Sequence, residues 1–92
     1  MEVSFDPIKN TQNIELRGLS FERAEEFEFA TAWIALDDRK DYGETRYRAI
    51  RLLGGRLHAL VFTETQAGIR VISFRKANQR EEQRYEQAQG NP

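Results

Sequence analysis

Two glycines, Gly54 and Gly55, separate the apolar runs "ETRYRAIRLL" (44–53) and "RLHALVFTE" (56–64), and this spacing limits the fold more than any other feature of the chain. Glycine tolerates the positive φ angles that a two-residue hairpin turn demands. A third run, "GIRVISFR" (68–75), follows the turn signal "TQAG" at 65–68. A parallel crossover needs a dozen or more residues, so links this short dictate antiparallel neighbours. Together with "TAWIALDD" (31–38), these β-branched and aromatic segments predict a four-stranded antiparallel meander.

The flanks read as helical. Asp6-Pro7 is a helix entrance, with Asp as N-cap and Pro in the first turn, and Gly18 is a C-terminal stop. Apolar residues are sparse between them, so this helix is short and mostly exposed. Ser20 followed by "FERAEEFEFA" puts apolar residues at 21, 24, 27 and 30, from which we expect a second helix over roughly 21–30. In "ANQREEQRYEQ", Asn78 and Glu81 have the spacing of a capping box, and Lys76, Arg80 and Arg84 are four apart, as on one side of a helix. The fold class is α+β: a short N-terminal strand, two helices, the four-stranded antiparallel sheet and a C-terminal helix. Its length suits one domain, over residues 1–86, with a flexible tail at 87–92. The expected core is Phe21, Phe27, Trp33, Ile34, Leu36, Ile50, Leu52, Leu60, Phe62, Val71 and Ile72.

Composition removes several function classes. The chain has no cysteine and one histidine, His58, which excludes disulfides and thiolate metal sites and argues against a histidine zinc site. No metal-ligand spacing or phosphate-binding glycine loop is present, so no cofactor is expected. The start "MEVSFDP" lacks the basic and apolar regions of a signal peptide, no stretch reaches membrane-spanning length, and a cytoplasmic setting is expected. The net charge of -1 conceals an asymmetry. Residues 1–45 carry 5 Lys/Arg against 11 Asp/Glu, and residues 46–92 carry 9 against 4. Such a chain can offer a basic surface to a polyanion, unless the fold interleaves the halves and cancels the fields.

Several stretches have the order and spacing of a known family. "DPIKNTQN" fits D-P-x-K-x-x-x-N, "GLSFERA" fits G-[VL]-S-F-E-x-A, "ETR" precedes a long strand, and "GGRL" and "VFTE" occupy the hairpin. "RVISFRKANQREEQRYE" fits R-[IV]-I-S-x-R-x-A-x-x-x-E-x-x-x-Y-E. Over about residues 3–86 the chain resembles the BrnT family, ribonuclease toxins of bacterial type II toxin–antitoxin modules with a RelE-like fold. The resemblance implies cleavage of RNA, inhibition of translation and neutralisation by a BrnA-like antitoxin that carries the DNA-binding domain, so that DNA is contacted only indirectly. It also implies a toxin dimer within the toxin–antitoxin complex. The chain departs from the family's Lys-His at Leu16 and Arg17, and from its N-terminal aromatic pair at Val3 and Phe5. A cation in place of that histidine suits phosphate binding rather than proton transfer.

RNA cleavage without a metal needs a base for the 2′-hydroxyl, an acid for the leaving oxygen and cations for the charge on the phosphorane. A single histidine rules out a two-histidine mechanism, and His58, in an apolar strand, reads more readily as structural. The work then falls to Glu, Tyr, Lys and Arg. Arg70 matches the family's R-x-I-S position, Arg75 stands at the strand-to-helix junction, Glu64 is the best carboxylate base, and Tyr85 occupies the family's Y-E position. These four are the candidate catalytic residues, although packing of its ring against the sheet is the commoner use of a tyrosine such as Tyr85 in a terminal helix. Arg46, Arg48, Lys76, Arg80 and Arg84 are the candidate RNA contacts, with pairing to Glu81, Glu82 and Glu86 as the ordinary alternative for the helical arginines. Lys9 and Asn13 share a helix face, which suits a helix–helix or partner contact as readily as RNA. Two further readings stay open: a weak or inactive relative that binds antitoxin or RNA as a co-repressor subunit, and a protein-interaction domain unrelated to RNA.

Overall fold

A computed structural model describes residues 1–90. The chain runs through β1 (Glu2–Ser4), α1 (Pro7–Arg17), two 3₁₀ segments (Phe21–Glu26 and Phe29–Thr31), β2 (Trp33–Leu36), β3 (Tyr47–Leu53), β4 (Arg56–Glu64), β5 (Gly68–Lys76) and α2 (Gln79–Ala88). β2 to β5 form the expected antiparallel meander, with Gly54 and Gly55 at φ 60° and 82° in the hairpin. The sheet is not purely antiparallel and does not stop at four strands. β1 joins its far edge parallel to β5, giving the order β1-β5-β4-β3-β2. A three-residue strand paired 65 or more positions away leaves no local periodicity from which that partner could be read.

Asp6 caps α1 by accepting the Ile8 N–H at 2.9 Å, a contact worth about 1 kcal/mol. Gly18 closes the helix in the left-handed conformation. The expected second helix is instead the pair of 3₁₀ segments. Apolar residues spaced by three match the three-residue turn of a 3₁₀ helix rather than 3.6, and Phe21, Ala24 and Phe27 are the buried ones. Asn10 and Asn13 fasten α1. The Asn10 side chain accepts the Phe21 N–H at 2.7 Å, and Asn13 donates to the carbonyls of Leu19 and Phe74, both at 2.9 Å.

α1 and the 3₁₀ segments cover one face of the sheet. The main core lies there, with Phe21, Phe27, Leu60, Phe62, Val71 and Phe74 at its centre. α2 covers only one end of the opposite face, over a smaller cluster of Ile50, Leu57, Ala77 and Tyr85 with Trp33 packed against it. Three expected core residues are exposed: Ile34 and Leu36 on the edge strand β2, and Leu52 on β3. No element lies over them to complete their burial. The expected capping box of α2 is present, but Lys76 closes β5 instead of joining a helical row with Arg80 and Arg84. α2 continues to Ala88, into the segment expected as a tail, of which residues 91–92 lie outside the described residues.

Candidate nucleic-acid interface

Strand alternation sorts the basic residues. On β3, Tyr47 stacks on Phe62 and Ala49 lies in the main core, so Arg48 turns to the face that α2 crosses, as does Arg46 two residues before it. On β5, Ile69, Val71 and Phe74 are buried in the main core, and Arg70 and Arg75 take that same opposite face. Register brings the rows together: Arg48 and Ser73 both pair with Val61, and Arg70 pairs with Thr63. Four arginines therefore share the half of the sheet that α2 leaves uncovered or only borders.

Glu81 organises one end of this group. Its carboxylate accepts two hydrogen bonds from Arg75, at 2.7 and 3.0 Å, a longer one from Arg48 at 3.5 Å, and the Asn78 N–H at 3.0 Å. Burial alone would push this carboxyl up, but the Arg75 hydrogen bonds, the Asn78 N–H and the charges of Arg75 and Arg48 outweigh it. The net shift is below the ordinary carboxylate range. Glu81 is thus an ionised anchor that orients two guanidinium groups.

The other nearby acids are also engaged. Buried Asp37 holds Arg39 at 2.6 and 2.8 Å, and Glu44 holds Arg46 at 3.0 Å while that guanidinium lies 4.0 Å over the Tyr42 ring. Arg70 is exposed and, among the described residues, pairs with no acid within 4 Å. Arg48 Nε is buried beside this anchor without a hydrogen-bond partner, out of reach of a ligand on the surface. An exposed guanidinium such as that of Arg70 can donate charge-assisted hydrogen bonds to phosphate oxygens.

The remaining candidates lie elsewhere. Glu64, paired with Ile69, takes the main-core face and lines a shallow groove with Ile34, Tyr47 and Phe62, so it stands apart from Arg70 and Arg75. Tyr85 is buried, and its hydroxyl accepts a hydrogen bond from Arg51 at 3.2 Å. Arg80 and Arg84 are exposed on the outer side of α2, unpaired with any of the expected glutamates among the described residues. Lys76 pairs with His58 in register and takes the main-core face, opposite Arg75. Sequence reasoning missed Arg51, which also donates to Thr31 at 2.7 Å and Glu28 at 3.0 Å and so ties the second 3₁₀ segment to α2. The sequence predicts Glu81 as a cap and as a partner of the helical arginines, and nothing local signals that its carboxylate reaches back to Arg75 instead.

The structure is thus a small α+β domain with arginines on one half-covered sheet face, of which Arg46, Arg48 and Arg75 are ion-paired and Arg70 is exposed with no acidic partner among the described residues. The chain is a member of the BrnT family: residues 5–81 match the family described as the ribonuclease toxin, BrnT, of type II toxin–antitoxin systems. Membership implies an RNA substrate and an antitoxin partner. No curated protein and no solved structure matches the chain.

Proposed function

We propose that the protein is a RelE-like, metal-independent endoribonuclease toxin that cuts RNA laid across the open half of its sheet. The observation that carries this is Arg70, exposed and free of acidic partners beside Arg46, Arg48 and Arg75. In the reaction class, the 2′-oxygen attacks the adjacent phosphorus and loses its proton, the 5′-oxygen departs and gains one, and a cyclic phosphate remains. Arg70 and Arg75 bind the phosphate and stabilise the charge gathered on its equatorial oxygens, while Arg46 and Arg48 hold the flanking backbone. Glu81 keeps Arg75 and Arg48 in position.

Cleavage of cytoplasmic RNA inhibits translation, and a BrnA-like antitoxin that also supplies the DNA contact silences the toxin in a complex containing a toxin dimer. The placement of Glu64 on the opposite sheet face and of Tyr85 in the core favours a second reading, an RNA- or antitoxin-binding subunit with little cleavage of its own. Inducible expression of the wild type and of Arg70→Ala in a bacterial host, with growth, RNA integrity and protein level followed together, separates the two. Growth arrest and RNA decay in the wild type alone, and cleavage by the purified protein in chelator, are the expected results. Intact RNA in cells that accumulate folded wild type would establish the second reading.

A further inference from the structure

On the main-core side of the sheet, away from the four arginines, a cleft of about 500 Å³ opens between the end of α1, the first 3₁₀ segment and the ends of β4 and β5. Its lining is Arg17, Gly18, Leu19, Arg23, His58 and Lys76. Three permanent cations thus meet the only histidine of the chain, and no carboxylate is among the lining residues. Arg17 and Lys76 are exposed and, among the described residues, have no ion-pair partner within 4 Å. Arg23 pairs with Glu26 at 3.0 Å, but both side chains are about half exposed, so that pair is weak and exchangeable.

His58 is buried edge-on against Phe74, with its Nδ1 2.8 Å from the Arg56 carbonyl oxygen. A carbonyl only accepts, so Nδ1 carries the proton and Nε2 is free to gain one. Burial holds the imidazole below its ordinary pKa, the Arg56 carbonyl opposes this, and the charges of Arg23, Arg56 and Lys76 add to the depression. Positive charge from Arg23 and Lys76, both in the cleft lining, is therefore felt at the ring.

We propose that this cleft is a second anion site, which seats a phosphate group between Arg17, Arg23 and Lys76 with His58 at its base. The site is independent of the cleavage reading, because Arg70 and Arg75 lie on the other face of the sheet. Two sources share this chemistry: a phosphodiester within a nucleic-acid strand, and a terminal phosphate on a strand or nucleotide.

The sole histidine makes the test direct, since its ring NMR signal reports on the cleft alone. The full chain is titrated at constant ionic strength with pyrophosphate, and then with a short DNA strand, which lacks the 2′-hydroxyl and resists cleavage, with and without a 5′-phosphate. Saturable movement of the His58 signal and an upward shift of its pKa are expected. Affinity should fall by about tenfold or more in Arg17→Ala/Lys76→Ala, where two charge-assisted contacts are lost, and should hold in Arg70→Ala. Equal binding of the two strands identifies a phosphodiester, and dependence on the 5′-phosphate identifies a terminal group. No saturable shift, or one that survives the double substitution, would overturn the proposal. Both substituted side chains are exposed, so the fold is retained in that variant.

Discussion

Arg75 grips the carboxylate of Glu81 with two hydrogen bonds, at 2.7 and 3.0 Å, across the junction where β5 gives way to α2. Glu81 is 4% exposed, and removing it strands the Arg75 and Arg48 charges and opens the capping box of α2. Glu81→Ala should therefore cost about 3 kcal/mol or more, read as a lower urea midpoint at unchanged slope.

Three buried groups shape the pH profile of stability in the same direction: His58, Glu81 and Asp37, whose carboxyl the Arg39 hydrogen bonds hold below its ordinary range. His58 lies below its ordinary 6.5 in the folded chain, so the unfolded chain binds its proton first as the pH drops. Stability should be full above about 6.5 and decline as the pH falls through the depressed His58 pKa. Glu81 lies below its ordinary 4.5, so its contribution is present above that value and is lost as the pH falls through its lower folded pKa. Urea midpoints measured against pH should show an upper and a lower decline, the upper one flattened in His58→Gln and the lower one, which Asp37 shares, flattened in part in Glu81→Gln.

Tyr85→Phe separates a chemical role from an architectural one. Its hydroxyl is engaged by Arg51 and its ring packs in the cluster beneath α2, so the variant should lose about 1 kcal/mol of stability and keep its RNA cleavage. A role in proton transfer would instead reduce the cleavage rate roughly 10²–10⁴-fold.

Gly68 holds the edge of the sheet for a steric reason. A Cβ there would collide with the backbone oxygen and nitrogen of Glu2, so Gly68→Ala should push β1 off β5. A loss of roughly 1–3 kcal/mol is expected, with faster amide exchange in β1 and an unchanged meander.

The meander was legible because its information is local. Gly54-Gly55 names its own turn, and the apolar runs on either side name their own strands. "FERAEEFEFA" misled because a spacing of three was read as an imprecise 3.6. The parallel pairing of Val3 with Ile69, the burial of Glu81 against Arg75 and the exposure of Ile34 all depend on what the distant chain places beside them, which spacing along a single segment does not encode. The charge asymmetry survived folding in part. Glu28 and Glu44 neutralise Arg51 and Arg46, but Arg70, Arg80, Arg84 and Lys76 keep their charge unpaired among the described residues.

Because one carboxylate both starts α2 and aligns two of the arginines, genetic drift at Arg48, Arg75 or Glu81 damages the body of the protein together with the arginine-bearing face of its sheet. On the proposed function, a lineage under pressure to disarm this chain while keeping it foldable has few routes, and the shortest runs through Arg70, whose side chain takes part in no ion pair among the described residues.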